Sequence, residues 1–202
     1  MANTDNPFGF KLLSPFNPNY VQFYPLVTAY ATAVFRQDAV GAPAAMAGLV
    51  CGKLDGSTRP GMEIIAVGVT GEVFGVVQGT YDSNLLPSTY FVATTAGDAV
   101  VGGYLAVCTD PDALYLVQED GDTTPIPVAS TGMNCDAIST HTGNTLTGLS
   151  KMELDSDTEN ATATLAWKLI RTFEADTPAS AYCRWIVKLN AAAMGDNIAS
   201  GE

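Results

Sequence analysis

The sequence predicts an all-β fold, a β-barrel or sandwich with an extended N-terminal arm and little helix, on three observations. Short runs of β-branched and aromatic residues recur along most of the chain, divided by Gly, Pro, Asp and Asn. Two later segments alternate apolar and polar residues at period two. No stretch of good helix formers runs far before a Gly or Pro interrupts it.

The elements follow in order. Residues 1–30 read as an extended arm, because Pro7, Pro15, Pro18 and Pro25 forbid a continuous helix. The arm is too rich in aromatics to be a free tail, since disordered segments are poor in them. It needs a groove, on its own domain or on a neighbour. Phe8, Phe10, Phe16, Tyr20, Phe23 and Tyr24, with Arg36 just beyond, are therefore candidate partner-binding residues. Asp38–Val50 is Ala-rich but carries Gly41, Pro43 and Gly48, which leaves a turn or two of helix at most.

Strands are then expected at Met62–Val69, Val73–Tyr81, Tyr90–Thr95, Tyr104–Cys108 and Leu114–Gln118. Turn chemistry separates them at Thr70-Gly71, Gly102-Gly103, Asp110-Pro111-Asp112 and Asp120-Gly121. In Thr162–Leu169 the inward set is Ala163, Leu165, Trp167 and Leu169, and Ala166 faces out. Near the end Cys183, Trp185, Val187 and Leu189 face in, against Arg184, Ile186 and Lys188. Residues 31–190 thus read as one β domain, with 61–150 as an acidic lobe of it and 191–202 as a tail. The expected core includes Val76, Leu116, Leu165, Trp167, Trp185 and Val187.

Composition bounds the function. Charged residues make up 15% of the chain, against about 25% in ordinary globular proteins. Much of the surface is then neutral and sheds water easily, which favours extensive protein contact. The net charge is −12. Between Pro60 and Lys151 there is no Lys or Arg, yet ten acidic residues fall there. A base-free acidic span repels phosphate backbones and anionic lipid, so neither nucleic acid nor membrane is an expected partner. Leu12–Phe35 is uncharged and long enough to span a bilayer, but its prolines and amides would leave polar groups unpaired in lipid. The opening MANTDNPFGF has no apolar signal-peptide core, and the four cysteines stand without CxxC or CxH spacing. They read as buried, reduced thiols of a protein made in cytoplasm.

No residue pattern points to catalysis or a cofactor. His141, the single histidine, sits in a Thr-rich loop with no GxSxG elbow anywhere in the chain. Asp155, Asp157 and Glu159 alternate in a turn that lacks the Gly and distal Glu of a calcium loop. Those acids, and the similar Glu119-Asp-Gly-Asp122, read as solvated turns. Trp167, Trp185, Phe91 and Phe74 lie inside strand patterns, where core packing is the default.

Several segments in order resemble one family. They are Asn6-Pro-Phe-Gly-Phe10, Gly75-Val-Val77, the run Tyr104–Asp120 with its acidic turn and closing Gln-Glu-Asp, Thr147-Gly-Leu-Ser150, Leu154-Asp155, Thr162-Ala-Thr-Leu165 and Trp185-Ile-Val-Lys-Leu-Asn190. Together they are similar to the capsid cement or decoration proteins of tailed phages, although Ala191–Glu202 continues past the Asn near which relatives often stop. The resemblance implies a non-enzymatic virion protein, made in the host cytoplasm, that binds the outside of an assembled capsid. There it would clamp neighbouring major capsid subunits, as a homotrimer or alternatively a dimer. A tail or baseplate component and a carbohydrate-binding β-sandwich are the rival readings, with a hydrolase last. The charge split adds an orientation: residues 1–30 against the shell, and the Gly61–Ser150 strands toward solvent.

Overall fold

The alternating segment around Trp185 becomes the middle strand of a sheet. The computed structural model describes residues 3–13, 16–26, 32–41, 51–52, 58–59, 63–64, 73–92, 103–122, 124–139 and 142–190. Its strands are β1 (Lys11–Leu12), β2 (Val21–Pro25), β3 (Ala39–Gly41), β4 (Cys51–Gly52), β5 (Thr58–Arg59), β6 (Glu63–Ile64), β7 (Val73–Tyr81) and β8 (Pro87–Ser88). They continue as β9 (Tyr104–Cys108), β10 (Leu114–Gln118), β11 (Asn134–Cys135), β12 (Ala137–Ile138), β13 (Glu153–Leu154), β14 (Trp167–Thr172) and β15 (Arg184–Leu189). Helical structure among the described residues is confined to short 3-10 turns at Pro18–Tyr20, Val128–Ser130 and Ser156–Thr158. The protein is mainly β, and β7, β9 and β10 have the bounds their apolar runs predict.

Two large antiparallel sheets carry the architecture. One runs β1-β10-β15-β14-β11; the other runs β2-β9-β7-β3-β6, with β8 paired to β7. Their facing sides meet in one core. Ala39, Val76 and Cys108 come from the second sheet, and Tyr115, Val117, Trp167, Trp185 and Val187 from the first. This is sandwich packing: inward residues of alternating strands interdigitate. The second sheet is covered on its other face too, where Tyr24, Leu26, Val40, Val77, Leu105 and Val107 form a separate cluster. Double-sided burial explains why Tyr104–Cys108 is a continuous apolar run and not an alternating one. Val76, Leu116, Leu165, Trp167, Trp185 and Val187 are all buried.

Several expectations need correction. The described part of the first 30 residues is extended and takes its own domain, one of the two grooves open to it: β1 pairs with β10 and β2 pairs with β9, so the segment supplies an edge to each sheet. The described strands of residues 61–150 enter both sheets, β7 and β9 beside β2 and β10 between β1 and β15. The strand expected at 162–169 starts only at Trp167. Asn160 takes the Thr162 amide and hydroxyl, Asn190 donates to the carbonyls of Ala163 and Leu165, and Asp136 takes the Ala166 amide. Side chains that satisfy the backbone in this way remove the need for a ladder. Ala163 is consequently exposed and Ala166 buried. Ile186, expected at the surface, is buried because it sits directly across from the apolar Leu116. Leu116 is therefore buried on the sheet's outer face, not in the central core.

Cys108, Cys135 and Cys183 are buried and free. The side chain of Cys51, His141, and most of the strand expected at 62–69 lie outside the described residues. Among the described residues no helix is long and apolar enough to cross a membrane.

Candidate docking surface

The structure separates the seven candidate partner-binding residues. Phe10 is fully buried and stacks on Trp167, with ring centroids 3.9 Å apart and planes 12° from parallel. Tyr24 is buried edge-on against Phe74 at 5.2 Å. Both are core residues and cannot reach a partner: Phe10 follows Gly9, whose left-handed φ of 75° turns the chain inward. Phe8 is half-buried beside a surface groove of about 1130 Å³. Arg36 is half-buried too, donating from its guanidinium to the Thr147 carbonyl at 2.6 Å. Phe16, Tyr20 and Phe23 remain at the surface, 38%, 43% and 39% exposed.

These three lie along one margin of the molecule. β2 ends its sheet, and Val21 and Phe23 alternate onto the face opposite Tyr24 and Leu26. That face is the one that, further along, packs on the first sheet through Val21 and Cys108. Beyond the first sheet it is open. Phe23 pairs with Ala106, which pairs with Gly79 on β7; one row away Pro25, Tyr104 and Tyr81 are aligned. Ala106 and Gly79 leave no bulk between the outer strands, so Phe23 reaches Tyr81 across β9, 4.9 Å away and 62° from parallel. The register shift between Val77 and Gly79 puts Gly79 and Tyr81 on this face. Tyr20 closes the turn Pro18–Tyr20, which Phe16 precedes and which is pinned to the end of β9. The Thr109 amide and hydroxyl both donate to the Tyr20 carbonyl, and the Asn17 amide donates to Asp110.

The charge around this shelf is one-sided. β2, β7 and β9 contain no charged residue. Asp82 follows β7 at one end of the shelf. At the other end the highly exposed Asp112 follows β9, paired to Lys188 at 3.8 Å, while Asp110 is buried and accepts the Asn17 and Asp112 amides.

The acidic segments divide differently from the sequence expectation. Asp155 caps the turn Ser156–Thr158, its side chain accepting the Asp157 amide. Glu119 is no solvated turn residue: it is fully buried, and its Oε2 accepts the Trp185 indole N–H and the Ile126 amide, both at 3.1 Å. Burial pushes its carboxyl up to about 7. Asp38 is also buried, accepts the Phe35 amide at 2.7 Å, and is pushed by burial to about 7. Sequence reasoning missed both. For Glu119 a signal existed, because 119 continues the inward alternation of Tyr115 and Val117. Among the described residues no cluster of three His, Cys, Asp or Glu side chains is arranged to hold a metal ion. The groove beside Phe8 is lined by Asp5, Asp120, Asp122 and Glu153 with Lys151; Asp122 accepts the Ser156 hydroxyl at 2.8 Å, and Glu153 is buried.

No family model, no curated protein and no solved structure matches this chain.

Proposed function

We propose that this chain is a non-enzymatic structural protein that grips the surface of another protein, and that its partner is the major capsid protein of a tailed-phage head. The observation that carries the first part is the exposure of Phe16, Tyr20 and Phe23 within eight residues of chain, on β2 and the segment leading into it, a strand that holds no charged residue. Large aromatics held on rigid elements, away from Lys and Glu, have the composition of a contact surface's centre. The resemblance to capsid cement proteins supports the second part and implies a position on the capsid exterior. A cement protein binds the assembled lattice and not its free subunits, and linkage then stabilises the assembly by RT ln(1 + [L]/Kd) per site.

The test is co-sedimentation with assembled heads of tailed phages. The expected result is saturation at a copy number comparable to the major capsid protein. Tyr20→Ser with Phe23→Ser should weaken that binding at least about tenfold, since each removes a large buried contact. A chain that stays in the supernatant at all concentrations overturns the proposal. The carbohydrate reading is less well supported, because rings 62° apart offer a sugar no flat platform.

A further inference from the structure

We propose that the outer edge of β2 is a docking site for an extended segment of a partner protein, one with an apolar residue set against Phe23 and basic residues at its ends. This rests on the partner-gripping reading and specifies how the grip is made.

The backbone of β2 fixes what can pair with it. The register with β9 runs from Val21 opposite Cys108 to Pro25 opposite Tyr104. The Thr109 amide bonds the Tyr20 carbonyl and the Leu26 amide bonds the Gly103 carbonyl, in the same register. Antiparallel pairs alternate between bonded and non-bonded. Tyr20, Gln22, Tyr24 and Leu26 therefore turn their backbone groups toward β9, and Val21, Phe23 and Pro25 turn theirs outward. No strand among the described residues pairs with that outer side. The Val21 amide is already bonded to the Pro18 carbonyl, and Pro25 has no N–H. The edge thus offers three carbonyls and one donor, the Phe23 amide.

That inventory selects the occupant. A foreign strand can bond both groups of Phe23 and donate to the Val21 and Pro25 carbonyls, satisfying the whole edge. A second copy of β2 cannot. Whichever way two copies pair symmetrically, the only free donors are the two Phe23 amides, so only two bonds form. The edge is blunted against itself, as natural edges are, while remaining open to a donor-rich strand. Side chains add the rest: the shelf of Phe23, Tyr81 and Tyr104 takes an apolar residue, and acids at both ends, with no base on the three strands, favour Lys or Arg flanking it.

Amide exchange is read residue by residue by NMR on the 202-residue chain. The probe is the blocked peptide Lys-Thr-Val-Thr-Val-Thr-Lys. In the free protein the Phe23 amide should exchange quickly with solvent and the Leu26 amide slowly. Saturating peptide should slow Phe23 exchange at least about tenfold, a new backbone bond, and leave Leu26 unchanged. A Glu-flanked peptide should bind at least about tenfold more weakly, and a peptide N-methylated at alternate amides should leave Phe23 exchange unaltered. Phe23→Pro should lose the peptide while keeping the wild-type melting temperature; should that variant not fold, the exchange and N-methyl results decide alone. A Phe23 amide already protected in the free chain overturns the proposal, as does one untouched by the peptide or equal binding of the N-methylated form. Equal binding of both flanks overturns its charge component. Heads that bind with Phe23 still exchanging overturn the docking mode and leave the partner reading intact. Peptide protection of Phe23 without head binding supports the edge site and removes the capsid as its partner.

Discussion

Single residues carry this fold unevenly, and Trp185 carries more than most. Its indole is fully buried between the sheets and supplies a hydrogen bond to the buried carboxyl of Glu119. Trp185→Ala should cost about 3–5 kcal/mol in chemical denaturation, by opening a cavity and removing that donor. A loss under about 1 kcal/mol would show the core collapsing around the gap. Glu119 and Asp38 give stability a pH dependence whose sign can be worked out. Burial raises both carboxyls from their ordinary range to about 7. As pH rises from about 4 toward 7, the unfolded chain releases protons that the folded chain still holds, so the unfolded state binds fewer and stability falls. Their stabilising contribution is fully present below the unfolded pKa, and it is gone once pH passes about 7. Glu119→Gln should remove its share, so the variant should gain on wild type in urea midpoint between pH 5 and pH 8, values spanning that window. A difference that stays constant with pH would mean that Glu119 is ionised in the native protein.

Elements show why the N-terminal segment was legible in kind but not in role. Its prolines correctly imply extended backbone, and its aromatics correctly imply a groove. Whether that groove belonged to a partner or to the same chain was undetermined, because Phe10 and Phe16 are the same residue type and differ only in the neighbours that folding brings to them. Pairing of β1 with β10 and β2 with β9 decides it, burying Phe10 on Trp167 and leaving Phe16 outside. Deleting residues 2–24, expected from the arm reading to spare the domain, should instead abolish the fold. It removes β1, nearly all of β2 and a fully buried aromatic, whose loss alone costs about 3–5 kcal/mol. Retention of the wild-type far-UV and near-UV spectra in that truncation would return the segment to the status of an arm.

At the scale of the whole molecule, two sheets share one core and the second sheet has another beneath it. Acidic and basic stretches of the chain are woven into the same sheets. The resemblance to cement proteins implies a trimer, since a closed oligomer matches the three-fold sites of a shell. Mass photometry of the purified chain should give three times 21.1 kDa; a monomer both free and on heads would rule out the clamp as a trimer.

What the sequence determined by itself was everything that depends on spacing along the chain. The bounds of β7, β9 and β10, the six buried residues and the near-absence of helix follow from apolar runs, period two and turn residues, all local properties. Tertiary structure decided what depends on which strand lies beside which. Ile186 is buried because Leu116 stands across from it, Glu119 is buried because Trp185 and Ile126 receive it, and Phe23 is exposed because the first sheet stops short of it. Each of those outcomes is a contact between residues far apart in sequence, and alternation within one strand names an inward face without naming what will cover it.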